Sequence, residues 1–427
     1  MSGLILAAPT SGAGKTTITL GLLRALKNVG HVVRSAKSGP DYIDPQFHAA
    51  ATGRPCVNLD AWAMSDARIK SLASGHGDLI IEGAMGLFDG APPNGKGSTA
   101  DLARILDLPV VLIVDAKAMS HSVAALVSGF AGFDPTVRVA GVIFNRVGSD
   151  RHAEMLKTAL ATLNIPVLGA IPRCDDLSRP SRHLGLVQAG EMPDLEAFLD
   201  RAAESVTRNV DLKALSALMA PSNWASTAGT AHPPFRIAIA QDAAFSFIYP
   251  HMLAGWAQSG ATVLPFSPLA DDPVPDADCV FLPGGYPELF ARQLAGADTF
   301  MQSLRNAAQT SDIYGECGGY MTLGEMLIDA DGTAHKMAGL LGLTSSFKDR
   351  KLHLGYRSLH QKAPHPLIET TGATNTYSAH EFHYATTLDA QGHALFDATD
   401  AQGTPLGPIG LIDGRVAGSF AHIIDRA

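Results

Sequence analysis

Two groups of residues near opposite ends of the chain have the types and spacing to do chemistry. Close to the start, Ala8-Pro9-Thr10-Ser11-Gly12-Ala13-Gly14-Lys15-Thr16-Thr17 supplies glycines that admit phosphate to backbone N–H groups, a lysine for the outer oxygens and a hydroxyl for Mg²⁺. The strict pattern asks for glycine where this chain has Pro9, so the loop is a variant form. Gly12, Gly14, Lys15, Thr16 and Thr17 are the expected nucleotide ligands. Far downstream, Tyr314-Gly315-Glu316-Cys317-Gly318-Gly319-Tyr320-Met321 sets a cysteine among small residues, between an apolar run and a helix-like one. A tight strand-to-helix turn exposes a nucleophile where free N–H groups and the helix dipole favour a thiolate. His422, in Gly418-Ser419-Phe420-Ala421-His422, is the expected base. Gly285, in a second glycine turn, and Gly318 are the expected oxyanion donors. Together these groups imply that ATP activates one substrate while a thiolate opens another.

Mg²⁺ takes hard oxygen ligands, commonly one or two carboxylates plus phosphate. Glu82, directly after Ile80-Ile81, and Asp41, in Gly39-Pro40-Asp41-Tyr42-Ile43-Asp44-Pro45, stand where strands should end, and Thr16 adds its hydroxyl. Asp89 is also explained by an Asp-Gly turn. His380-Glu381-Phe382-His383 is rejected as a zinc motif, because its histidines are three apart rather than four and no helix is evident. The basic stretch from Lys348 to Arg357 reads by default as a solvated loop.

The elements needed to hold these groups follow from apolar periodicity. Residues 3–8 form a short apolar run, and Ile18, Leu22, Leu23 and Leu26 recur at helical spacing after the phosphate loop. Further all-apolar runs lie at 79–81, 110–114, 139–144 and 167–171, with helical stretches at 100–106, 120–130 and 151–163. Short buried strands alternating with helices predict an α/β fold, a doubly wound and mostly parallel sheet. Residues 219–234 read as a polar, proline-terminated linker between a domain at 1–218 and a second α/β domain at 235–427.

Composition agrees with two globular domains: 427 residues, 46% hydrophobic and 17% charged, more than one core would hold. The net charge of −9 argues against a nucleic-acid binder. No apolar run reaches membrane-spanning length. Four cysteines without C-x-x-C spacing fit reduced thiols, and a cytoplasmic location is expected.

The cysteine and histidine strings resemble those of the triad-type class I glutamine amidotransferases. The whole chain resembles the cobyrinic acid or hydrogenobyrinic acid a,c-diamide synthase family, and its front half is similar to dethiobiotin-synthetase-like ATP-binding domains. The resemblance is carried by Ala8 to Thr17, Gly39 to Pro45, Gly53-Arg54-Pro55, Asn58-Leu59-Asp60, Glu82 to Gly90 and Arg182 to Leu186. In the back half it is carried by Pro283 to Glu288, Glu316 to Gly319, Gly355-Tyr356-Arg357 and Glu381-Phe382-His383-Tyr384.

It implies a C-terminal amidotransferase-like domain, with Cys317 the nucleophile and His422 its base. Lys15 and Thr16 would serve ATP and Mg²⁺, with Glu82 and Asp41 completing the metal site. Asn145 would face adenine, and Tyr42, Asp44 and Asp89 would lie near the macrocycle carboxylate. One departure stands out: the position two after the histidine, a carboxylate in other triad enzymes, is Ile424, and Asp425 points to the opposite face of a strand. A Cys–His dyad is therefore expected, with Glu381 the candidate for an orienting group. The implied partners are hydrogenobyrinic or cobyrinic acid, L-glutamine and ATP, with neither nucleic acid nor membrane, and a homodimer is a candidate assembly. Asn58 to Met64 and the alanine-rich style lean toward the cobalt-free macrocycle. The alternatives are a synthase of another tetrapyrrole, either cobyric acid or a nickel sirohydrochlorin, and a P-loop ATPase that has no need of Cys317.

Overall fold

The computed structural model describes residues 2–174, 177, 181–182, 185–225, 235–367 and 375–427. Residues 226–234 of the expected linker and 183–184 of the string at 182–186 lie outside the described residues. The chain divides into two compact units, Met1–Thr227 and Ala228–Ala427.

In the first unit the parallel strands are β1 (Ser2–Ala7), β2 (Val33–Ser38), β3 (Val57–Leu59), β4 (Asp78–Glu82), β5 (Val110–Asp115), β6 (Val139–Val147) and β7 (Val167–Pro172); the five expected apolar runs account for all but β2 and β3. Their order is β3-β2-β4-β1-β5-β6-β7. Leu4, Ile5, Leu6, Ile80, Ile81 and Val110 to Val114 are all fully buried. Alternating polar positions are absent from β1, β4 and β5 because both sheet faces are covered, and each buried aliphatic side chain contributes roughly 1.5–3 kcal/mol. Helix α1 (Lys15–Asn28) leaves the phosphate loop and packs on the helix Leu195–Asn209 so closely that a Cβ on Gly21 would lie 2.6 Å from the Ala202 carbonyl. Helix α2 (Asp44–Thr52) follows β2. The start of the expected linker is not a tether: Ala220–Pro221 pairs antiparallel with β1, satisfying backbone groups at that strand's start.

In the second unit the strands Thr262–Phe266, Arg236–Ala240, Cys279–Leu282, Asp312–Glu316 and Val416–Ser419 run parallel. The sheet then continues antiparallel through Pro405–Asp413, His393–Asp400, His353–Gln361, Thr376–His383 and His422–Arg426. This antiparallel half brings His422 into place. No described helix is long and apolar enough to cross a membrane.

Candidate functional site

The phosphate loop bends through left-handed glycines, Gly12 at φ 79° and Gly14 at φ 90°. A side chain at Gly14 would be strained by that left-handed backbone, and its Cβ would lie 2.2 Å from the Asn145 amide nitrogen, displacing it. That nitrogen donates to the Ala13 carbonyl at 2.9 Å, so Asn145, at the end of β6, braces the loop. Thr17 follows in the first turn of α1. Lys15 is buried and donates to the Met85 carbonyl; burial pulls its pKa below the ordinary lysine value, against the pull of Glu82.

Around Thr16 the carboxyl ends of β2 and β4 bring together oxygen ligands from three segments. The Thr16 hydroxyl donates to Glu82 Oε1 at 2.5 Å and lies 3.3 Å from Asp44 Oδ2. Lys37, unforeseen from the sequence, places its ammonium 2.6 Å from Asp44, 2.8 Å from Glu82 and 3.8 Å from Asp41. Asp41 turns its other oxygen to the N–H groups of Ile43 and Asp44. Asp44, expected beside the macrocycle, thus sits within the oxygen cradle; it opens α2, whose first turn is aimed there. Tyr42 lies between these two aspartates in the same loop. Asp89 is exposed and accepts from Gly86 N–H at 2.9 Å, closing the turn after β4.

The other oxygen of Glu82 meets His48 Nε2 at 2.6 Å, and His48 Nδ1 lies 3.4 Å from Cys56 Sγ. All three are buried. Burial opposes charge on His48, but Cys56 and Glu82 outweigh it and carry its pKa to about 10. Burial likewise opposes charge on Glu82, yet Lys37 and His48 hold it below the usual carboxylate range. Burial and the neighbouring Asp44 push Asp41 up to about 6. Lys37 is driven upward despite its burial, by Asp44 and Glu82. Carboxylates and a hydroxyl gathered around one ammonium form a hard-oxygen cradle that already takes positive charge, so the residues fit Mg²⁺.

In the second unit Cys317 lies between the strand Asp312–Glu316 and the helix Gly318–Leu323, at φ 46° and ψ −99°. Such a conformation is strained for a residue with a Cβ and is held by its surroundings, here by Cys317 N–H donating to the Ser419 carbonyl at 2.8 Å. The Cys317 side chain hydrogen-bonds His422. Gly284 makes the space: a Cβ there would stand 2.3 Å from His422 Cε1 and 3.3 Å from Cys317 Cβ. The nitrogen of Gly285 is 3.1 Å from where a Gly318 Cβ would be, so the two expected oxyanion turns abut beside the sulfur.

The carboxylate that lies beside this pair is that of Glu316, not Glu381. Glu316 Oε2 lies 3.5 Å from His422 Nδ1, at the outer edge of hydrogen-bond reach, while Oε1 accepts the Ile423 N–H at 3.0 Å. Both side chains are 2% exposed. Burial would lower the His422 pKa, but Cys317 and Glu316 outweigh it and raise it to about 10. Glu381 faces elsewhere because His380 is the residue paired with His422, and neighbours along a strand point to opposite faces. Its carboxylate is taken by Arg357 at 2.7 Å and His383 at 2.9 Å. Ile424 is buried, and the register skips it, pairing Asp425 with Ser378. The basic stretch begins in an exposed loop at Lys348 to Lys351 and enters the strand His353–Gln361.

Comparison with known proteins matches both units. Residues 4–187 match the CobQ/CobB/MinD/ParA nucleotide-binding domain, and residues 236–426 match the CobB/CobQ-like glutamine amidotransferase domain. The hydrogenobyrinate a,c-diamide synthase of Brucella anthropi is 52% identical over 437 residues, covering 100% of this chain and 99% of that protein. Those of Rhodobacter capsulatus (52% identical, 99% of this chain, 98% of that protein) and Rhizobium meliloti (51%, 100% and 99%) match as fully. With a nucleotide-type cradle in one unit and a cysteine–histidine turn in the other, the chain belongs to the hydrogenobyrinate a,c-diamide synthase family.

Proposed function

We propose that this chain is a glutamine-hydrolysing ligase that amidates the a and c carboxylates of hydrogenobyrinic acid, converting ATP to ADP and phosphate. The full-length identity to synthases of that name carries the reading. The cobalt-free macrocycle is favoured over cobyrinic acid because the relatives are named for it.

A carboxylate does not react usefully with ammonia, because its oxygen is a poor leaving group. Transfer of the γ-phosphoryl group gives an acyl phosphate, which has a good one. Lys15 and the loop N–H groups would bind the phosphates and offset charge as the phosphoryl moves. Mg²⁺, held by Thr16 and Glu82 with Asp41 and Asp44 beside them, would draw charge from the phosphoryl oxygens. Lys37 is suited to hold the acidic groups in place and to meet an incoming carboxylate.

In the other unit His422 holds the proton drawn from Cys317, and the sulfur attacks the glutamine carboxamide carbon. The N–H groups of Gly285 and Gly318 would receive the developing oxyanion. His422 returns the proton to the departing nitrogen, releasing ammonia and leaving a glutamyl thioester that water clears. Glu316 would hold the imidazole in register and support its charge. Ammonia displaces phosphate from the acyl phosphate, and the cycle repeats on the second carboxylate.

Mass spectrometry after incubation with the macrocycle, ATP, Mg²⁺ and glutamine tests the reading. A gain of two amide groups on hydrogenobyrinic acid is expected; four amides, or none, would overturn it.

A further inference from the structure

The His380-Glu381-Phe382-His383 string fails as a helical zinc motif, but it lies on a strand, where a different spacing applies. Glu381 and His383 are two apart and share one face of Thr376–His383. His353 is paired directly with His383 across the neighbouring strand, and the residue opposite Glu381 is Gly355, at φ 142°, which puts no side chain in the way. One ligand atom from each of His353, Glu381 and His383 therefore falls within 4.8 Å of the others.

The hydrogen bonds around the trio give each ligand its direction. His383 Nδ1 lies 3.1 Å from the Ala385 carbonyl, which can only accept, so Nδ1 carries the proton. In the neutral ring Nε2 then bears a lone pair, and it faces Glu381 Oε1 at 2.9 Å, itself an acceptor. At that distance a proton joins the two atoms; a metal ion taking its place would sit to one side of the line between them, with the two ligand atoms a few tenths of an ångström further apart. Glu381 Oε2 is fixed separately by Arg357 Nε at 2.7 Å, leaving Oε1 for the shared cation. Outer partners on both a ligating histidine and its carboxylate are a recurring feature of metal sites. The rings of His353 and His383 are parallel, 6° apart with centroids at 4.7 Å, and His383 stacks on Phe420 at 4.1 Å.

The geometry points to a Zn²⁺-class site formed by His353, Glu381 and His383, distinct from the Cys317 centre. Two imidazoles and one carboxylate suit Zn²⁺ with a position open, and His353 and Glu381 are only partly buried, which leaves a way in for water or a ligand. Through Phe420, two residues before His422, an ion here would steady the turn that carries the candidate base.

The test is equilibrium Zn²⁺ binding to the full chain, with excess Mg²⁺ and ADP occupying the front cradle, and Co²⁺ absorption as a reporter of ligand type. One equivalent of Zn²⁺ is expected, with a visible Co²⁺ band that lacks thiolate charge transfer and persists in Cys317→Ala. His353→Ala, checked for native circular dichroism, should weaken binding at least about tenfold; His353→Asn serves should the alanine variant not fold. Absence of stoichiometric uptake, uptake unchanged by the His353 substitution, or a thiolate band lost in Cys317→Ala would overturn the site.

Discussion

The same three residue types line up in both units, Glu82–His48–Cys56 in the first and Glu316–His422–Cys317 in the second. Each glutamate ends a buried parallel strand, and each histidine is carried to about 10 by its neighbours against burial. What differs is the backbone around the sulfur and the load on the carboxylate. Cys56 precedes an ordinary strand, whereas Cys317 is held at positive φ with Gly284, Gly285 and Gly318 clearing space beside it. Glu82 shares its second oxygen with Thr16 and Lys37, whereas the second oxygen of Glu316 accepts a single backbone N–H. A line of cysteine, histidine and glutamate is thus not a nucleophile by composition. On the proposed reading it becomes one where glycines clear the turn around the sulfur, and elsewhere it serves to aim a carboxylate.

The comparison can be broken by substitutions on each side. Lys15→Ala should lower amidation roughly 10²–10³-fold with glutamine or with ammonium salts, while glutamine hydrolysis persists; steady-state assays of both reactions check it. Glu316→Gln should slow glutamine hydrolysis about 10²-fold, below the ~10⁴-fold seen when a tightly bonded triad carboxylate is neutralised, because the 3.5 Å contact is long. Ammonia-dependent amidation should be unchanged in that variant. His48→Gln should weaken Mg²⁺ binding about 10–100-fold without altering glutamine hydrolysis, as read by titrating Mg²⁺ in the ammonia-dependent assay.

The smallest effect is on stability against pH. Both histidines hold a proton in the folded chain that the unfolded chain releases near 6.5. Their stabilising contribution is complete below that value and is lost as pH rises through about 10. Urea midpoints should therefore fall between pH 7 and 10, and less steeply in His48→Gln.

Much of this was legible in the sequence because the informative residues are consecutive. The phosphate loop and Cys317 among glycines each announce a strand, a turn and a helix within about ten positions, and Glu82 closes the apolar run Ile80-Ile81. Lys37, His48 and Glu316 were not legible, since each acquires its partners from the order in which strands are laid side by side. Glu316 reaches His422 only because Asp312–Glu316 pairs with Val416–Ser419, about a hundred residues away. The same cause misdirected Glu381: its place near His422 is right, but the pairing of His380 with His422 turns it to the other face.

The central claim is that nitrogen set free at Cys317 is the nitrogen that appears on the macrocycle. It is tested most directly by supplying [amide-¹⁵N]glutamine together with unlabelled ammonium and weighing the product made by the parent chain and by Cys317→Ala. The account predicts ¹⁵N in both amides from the parent and none from Cys317→Ala, which still amidates with unlabelled ammonium. Label in the product of Cys317→Ala, or a parent product that carries no ¹⁵N at all, would contradict it.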